Sequence, residues 1–277
     1  MGQIFMLYGR QYKILSSHED ESSPKSCDST LMIVSPLAYT RIGNILHGAQ
    51  ELGLHITNGV MSKLTTEQAN SFFELSSIEH ITSDASVVFE LAGPNAVSAC
   101  RECFEAEISA GVIHTCGSVP QAYPCLKELL CNPKISSPTA LFTHCAVCII
   151  KPHALNPDAG MILDLLLKDG LEISALKVTT LTPDVVEKLM RKYRGLVPDF
   201  AESVHQLCDG PCMLLEVREE DAVQRLKELA GPPDPVLAQQ VAPQSIRALF
   251  GHSRALNAVH CTDLPEDGPL ESRLLFE

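Results

Sequence analysis

Val147-Cys148-Ile149-Ile150-Lys151-Pro152-His153-Ala154 is an unbroken apolar run closed by a lysine and a proline, and Leu31-Met32-Ile33-Val34-Ser35-Pro36-Leu37-Ala38 repeats its pattern earlier in the chain. Such a run, stopped by proline, reads as an apolar strand. After each proline the sequence passes through a glycine (Gly43, Gly160) into an apolar helix that ends at Gly53-Leu54 or Gly170-Leu171, the expected C-terminal stop. Extended apolar stretches follow at Ile56 to Leu64 and Ile173 to Leu181, each succeeded by threonine. Thr182-Pro183-Asp184 predicts a helix start with threonine as the cap and proline at the first helical position. Val87-Val88-Phe89-Glu90-Leu91 matches Met213-Leu214-Leu215-Glu216-Val217, and each is followed by a helix carrying Ala-Val (Ala96-Val97, Ala222-Val223). His114 and His260 fall at parallel places near the ends of the two copies. The chain therefore reads as a tandem duplication.

Within each copy the order is strand, helix, strand, one or more helices, strand, helix, then a loop-rich segment and a closing element. That order predicts an α/β fold of the α+β type. Two tandem split β-α-β (ferredoxin-like) domains are expected, each with an antiparallel sheet covered by helices, the first copy being degenerate. The copies are placed at residues 29–133 and 140–277, joined by a linker at 134–139 in the Pro/Ser-rich stretch around Ser136-Ser137-Pro138. Residues 1–28 stand outside the repeat. Ile4 to Tyr8 can form a strand, and His18 to Ser29 is polar and expected to be flexible.

A chain of 277 residues has room for two cores. No run approaches the eighteen or so apolar residues of a membrane span, and Met1-Gly-Gln-Ile-Phe lacks the cationic start of a secretory signal, so a cytoplasmic protein away from membranes is expected. In that compartment the 11 cysteines are expected as thiols. Cys145 and Cys148 form a C-x-x-C, but positions three apart on a strand face opposite sides and cannot share a metal. Cys100 and Cys103 fall on a predicted helix and read as packing residues. The formal net charge of −13 opposes nucleic-acid binding, so any nucleotide must be held by cations placed locally.

The second copy carries chemistry-bearing residues in a defined order: Ile150-Lys151-Pro152, Ser245-Ile246-Arg247, then Asn257-Ala258-Val259-His260-Cys261-Thr262, with Glu271 further on. These segments resemble, in order and spacing, the motifs of the nucleoside diphosphate kinase family. The resemblance is strong over residues 139 to 277 and weaker over 29 to 133. The tandem arrangement is similar to a ciliary and centrosomal subgroup that carries an additional N-terminal DM10 domain. Residues 4 to 16 resemble the last strand of such a domain, so residues 1–28 are expected to be a truncated remnant plus linker.

What the resemblance implies is a two-step phosphoryl transfer from ATP or another nucleoside triphosphate, with Mg²⁺ bridging the phosphates. In it His260 becomes a phosphohistidine and then passes the group to a diphosphate. Lys151, Arg247 and Lys227 are implied as phosphate cations, and Asn257 as a contact for ribose and phosphate oxygens. Glu271 is implied to accept a hydrogen bond from the other imidazole nitrogen, with Thr262 beside it. The implied partners are nucleotides and, through the subgroup, tubulin, axonemal microtubule proteins and the gamma-tubulin complex. The implied location is the cytoplasm, at the cytoskeleton of a cilium axoneme or centrosome.

Taken singly, each residue also has an ordinary reading: a structural histidine, a solvated lysine, a helix-surface arginine, a surface carboxylate. Several positions depart from the family pattern. Asp199 stands where the family has a base-stacking phenylalanine, Cys261 where a glycine follows the histidine, His153 where an aspartate follows Lys-Pro, and Lys227 where an arginine is usual. The pocket tyrosine is not at its ungapped position, Arg191, and Tyr193 can replace it if the loop has shifted. These changes predict weak or altered turnover. In the first copy Ser35 replaces the lysine, and only 17 residues separate Val97 from His114, against 37 from Val223 to His260. The missing segment is the one that carries Arg247 in the second copy. The first copy is therefore expected to be a noncatalytic packing or docking domain that pairs with the second as an intrachain pseudo-dimer. Two function classes follow: a phosphotransferase using His260, and a microtubule-associated structural protein with a vestigial kinase site.

Overall fold

In a computed structural model the described residues are 4–7, 10–13, 27–72, 78–118, 129–130, 139–197 and 199–277. Two short strands, β1 (Ile4–Leu7) and β2 (Arg10–Lys13), form an antiparallel pair of their own. The described residues within 4 to 16 thus form two paired strands where a single strand was expected. Most of the expected flexible segment and of the linker at 134–139 lies outside the described residues. The end of the segment is a correction, because Cys27–Ser29 belong to the next strand, β3 (Cys27–Val34), registered against Pro94, Gly93 and Ala92.

The first copy runs β3, α1 (Ile42–Glu51), β4 (His55–Ser62), α2 (Thr66–Phe72), α3 (Ile78–Thr82), β5 (Ser86–Pro94), α4 (Ala96–Cys103), α5 (Glu105–Ser109) and β6 (Ile113–Thr115). The second runs β7 (Cys145–Ile150), α6 (Pro152–Lys168), β8 (Glu172–Thr180), α7 (Pro183–Met190), α8 (Phe200–Cys208), β9 (Pro211–Arg218), α9 (Ala222–Ala230), α10 (Pro235–Val241), α11 (Ile246–Phe250), β10 (Val259–Cys261) and α12 (Gly268–Phe276). All main-sheet pairings are antiparallel, in the order β10-β7-β9-β8-β4-β5-β3-β6. Read from either outer edge inward, each half has the same 4-1-3-2 order. The halves join at β4 and β8, through Gly59↔Val178 and Val60↔Lys177.

Alternation along the strands explains why they carry no polar face. Leu31 and Ile33 point to one layer while Met32 and Val34 point to the other, and Val147 and Ile149 oppose Ala146, Cys148 and Ile150 in the same way. The layer holding α1, α4, α6 and α9 is one continuous core across both halves, whereas the opposite face carries a separate core in each. The glycine stops are as expected. Gly53 (φ 76°) and Gly170 (φ 91°) are left-handed, and Leu54 and Leu171 send their N–H groups back to Ala49 and Leu166 at 3.2 Å. Thr182 caps α7 by backbone position, but its side chain makes no capping bond.

Glu216 on β9 is wholly buried, and both its oxygens are fully engaged. Oε1 accepts from Leu141 N–H (2.7 Å) and Ser174 Oγ (2.6 Å); Oε2 accepts from Phe142 N–H (3.1 Å) and Ser272 Oγ (2.5 Å). Burial pushes its pKa up, but these bonds outweigh it and hold the carboxyl below its usual range. The carboxylate pins the entry turn, where Phe142 (φ 56°) and His144 (φ 46°) take left-handed conformations that side chains disfavour. Glu216→Ala strands four donors, so urea unfolding is expected to show a loss of about 3–5 kcal/mol at neutral pH. The contribution is present above the unfolded carboxyl range and fades as pH falls through the lowered folded value. A loss under about 1 kcal/mol would contradict this role.

Candidate functional site

Chain reversal at the end of β7 positions the first cation. Lys151 is extended (ψ 158°), its N–H bonds Ala258 O at 2.9 Å, and Pro152 starts α6 immediately after it. Its side chain is buried, with Nζ donating to Ala255 O and Asn257 Oδ1, both at 2.7 Å. Burial and the neighbouring Arg247 charge lower its pKa to about 7. Arg247, on α11, donates Nη1–H to Gly231 O (2.6 Å) and Nη2–H to Val259 O (3.2 Å), which leaves its buried Nε without a partner. Asn257 anchors the loop by donating to Pro233 O at 2.9 Å. Ala258 then enters β10 with φ 66°, a strained conformation fixed by an N–H bond to His153 Nε2 at 3.2 Å. His153 is held neutral, its pKa lowered to about 4 by burial and the Lys151 charge.

His260 sits in β10 opposite Ile149 and is 9% exposed, on the wall of a cavity of about 370 Å³ shared with Lys151, Arg247, Asn257, Tyr193 and Asp199. Burial, then the Lys151, Arg247 and Lys192 charges, lower its pKa to about 3. The ring is thus a neutral base with a free lone pair over the physiological range. Tyr193 approaches it edge-on with ring centres 6.0 Å apart, while the Tyr193 hydroxyl bonds Asp263 Oδ2. The shifted tyrosine does reach the cavity. Asp199 also lines it.

One expected role needs correction. No hydrogen bond joins His260 to Glu271. Glu271 Oε1 accepts from Lys192 Nζ at 2.8 Å and Oε2 from Thr262 Oγ1 at 2.6 Å, while the buried His260 Nε2 has no partner. The physical reason is competition: an ammonium attracts the carboxylate more strongly than a neutral imidazole does. Lys192 also bonds Asp267 at 2.6 Å, and although burial opposes its charge, both acceptors raise its pKa above the ordinary lysine value. Thr262 lies behind the cavity, and its hydroxyl also accepts Val147 N–H at 2.8 Å. Lys227 stands on the adjoining helix α9. Its Nζ donates to Asp263 O at 3.1 Å and it faces a neighbouring hollow that shares Arg247, Cys261 and Asp263 with the first. Sequence reasoning missed Lys192, and also the Arg254–Asp234 pair (2.9 Å) at the cavity rim.

The first copy shows what the loss of the lysine does. Ser35 N–H bonds Val112 O at 2.9 Å, the same backbone link as Lys151 to Ala258, and His114 faces Ile33 as His260 faces Ile149. In place of an ammonium the buried Ser35 hydroxyl has no partner, and His114 bonds the Gly111 carbonyl at 3.1 Å. Of the cysteines, Cys145 and Cys148 lie on one strand, and Cys100 is buried while Cys103 is exposed.

The family model described as nucleoside diphosphate kinase matches residues 144–277. Nucleoside diphosphate kinase homolog 7 of Mus musculus is 30% identical over 310 aligned positions, covering 99% of this chain and 76% of that protein. A nucleoside diphosphate kinase of Aquifex aeolicus is 38% identical over 129 positions, covering 46% of this chain and 90% of its own. A crystal structure of the Aquifex aeolicus enzyme superposes with a TM-score of 0.46 at 36% identity, over 48% of this chain and 95% of that one. No described helix is long and apolar enough to cross a membrane.

Proposed function

The chain belongs to the nucleoside diphosphate kinase family, and from that premise we propose that its second copy takes a phosphoryl group from a nucleoside triphosphate onto His260. The observation that carries this reading is a neutral, nearly buried imidazole on the same cavity wall as a buried cation, Lys151, and a half-buried one, Arg247. An uncharged ring nitrogen attacks the terminal phosphorus, the bond to the bridging oxygen breaks, and a nucleoside diphosphate leaves. Lys151 and Arg247 both line the cavity and supply positive charge for the phosphate oxygens, and Lys151 in its buried position acts there with little solvent screening. Asp199 and Asp263 on the cavity wall would be the carboxylates placed to hold a Mg²⁺ brought with the nucleotide, which would supply neutralisation of phosphate charge.

Without a Glu271 bond to fix its tautomer, the imidazole is less well oriented than the family motif implies, which supports slow turnover. The first copy, with Ser35 at the lysine position, serves in this reading as a packing partner that completes the shared core. Incubation with γ-³²P-labelled ATP is expected to give an acid-labile, alkali-stable label on the wild-type chain and none on His260→Gln. Label that persists on the glutamine protein would sink the assignment.

A further inference from the structure

Two thiols that the proposed phosphoryl chemistry does not use face each other beside His260. Cys148 on β7 and Cys261 on β10 are direct cross-strand partners, and both are buried in the same core layer. The backbone bonds Lys151 N–H to Ala258 O and Thr262 N–H to Val147 O define the hydrogen-bonded positions of this pair of strands. By alternation Cys148 and Cys261 therefore occupy a non-hydrogen-bonded site. There opposed Cα atoms lie about 4.5 Å apart and side chains approach most closely, inside the window a disulfide accepts.

The two thiols are not equivalent. Cys261 forms part of the wall of the cavity of about 370 Å³ and of the adjoining hollow, whereas Cys148 lines neither. A hydrogen bond from the Cys148 thiol holds the Cys261 thiol below its ordinary pKa against the effect of burial, with the Arg247 and Lys151 cations adding to the shift. The same contact, with burial, pushes Cys148 up.

We propose that Cys261 is a peroxide-reactive thiol and Cys148 its resolving partner, so that oxidation links β7 to β10 next to the His260 imidazole. The Cys261 thiolate attacks one peroxide oxygen, the O–O bond breaks, and the departing hydroxide takes up a proton as water, leaving a sulfenic acid. Cys148 sulfur, losing its proton, attacks the Cys261 sulfur; the S–S bond forms, the S–O bond breaks, and a second water leaves. Two thiols are oxidised and one peroxide is reduced, and an added dithiol reverses the step.

The test treats the full chain with hydrogen peroxide, blocks remaining thiols after denaturation, and maps peptides without reduction. The expected result is a Cys148–Cys261 linked peptide, lighter by two hydrogens than the two free peptides and lost on treatment with dithiothreitol. In Cys148→Ser, Cys261 is expected to go on to sulfinic acid. In Cys261→Ser, Cys148 is expected to stay reduced over the same exposure. The wild-type chain giving only unlinked oxides, or Cys261 joined to another cysteine, overturns the proposal, as does Cys148 oxidising equally fast without Cys261. Because the readout is thiol chemistry, its failure leaves the phosphoryl assignment to His260 standing, and the reverse also holds.

Discussion

The Lys151→Met protein is expected to be more stable than the wild type at pH 6 while binding nucleoside triphosphate about 100-fold more weakly. The two effects share one cause. Lys151 is an ammonium with 4% exposure whose acceptors are a carbonyl and an amide, with no carboxylate to neutralise it. Its pKa is lowered to about 7 in the fold against 10.5 when unfolded, so between these values the unfolded chain binds the extra proton. Stability therefore rises with pH across that window, by up to about 1.4 kcal/mol per pH unit, and below pH 7 the whole penalty of about 5 kcal/mol is present. Methionine removes that penalty but leaves Ala255 O and Asn257 Oδ1 without their donor, at about 1–2 kcal/mol each. The net gain is expected to be about 1–3 kcal/mol at pH 6, to vanish between about pH 7.5 and 9, and to turn into a loss by pH 10. The lost ammonium–phosphate bond, about 2–3 kcal/mol, accounts for the weaker binding. In the wild type, nucleotide affinity should accordingly fall as pH rises past 7. Melting curves between pH 6 and 10, with calorimetric titration of ATP, check both halves. A variant that melts lower than wild type at pH 6, or binds ATP as well, contradicts the account.

That trade between stability and function was readable in part from residue order. Lys151, Arg247, Asn257 and His260 each follow a structural stop, and the stops bring them to one cavity: the end of β7, the short α11, and the strained Ala258 turn. The tandem repeat was legible for the same reason, because glycine stops and apolar strands are local signals. Competition between distant charges left no local trace. Lys192 and Glu271 are 79 residues apart, and nothing in the periodicity of α7 or α12 records that the ammonium would take the carboxylate assigned to the imidazole. Helix α9 turns Lys227 toward Asp263, and spacing alone does not fix the face of a helix end. Tyr193 lies two residues past the ungapped position, and its approach to His260 depends on the path of the chain after α7, which spacing does not record.

Gly160→Ala is expected to destabilise the chain by about 3 kcal/mol, although helix propensity alone predicts a gain of about 1 kcal/mol at such a site. The sign decides whether the crossing of α1 and α6 holds the two copies together. A Cβ on Gly160 would lie 2.4 Å from His47 N and 2.8 Å from Gly43 O, and one on Gly43 would lie 2.3 Å from Asp164 N and 2.7 Å from Gly160 O. These are backbone atoms inside helices, so only separation of the helices relieves the clash. Separation would also break the Gln50 clamp, which joins the helices through Gln50 Nε2–H to Leu155 O (2.9 Å) and Gly160 N–H to Gln50 Oε1 (3.0 Å). The bond from Ile56 N–H to Asn156 Oδ1 (2.7 Å) lies at the same junction. Because α1 and α6 share one continuous core, the loss should appear in both halves, as weaker amide hydrogen-exchange protection in β4 and β8 together. If urea unfolding of Gly160→Ala instead shows a gain, or if exchange rises in β8 alone, the copies are stabilised independently and the β4–β8 junction is incidental.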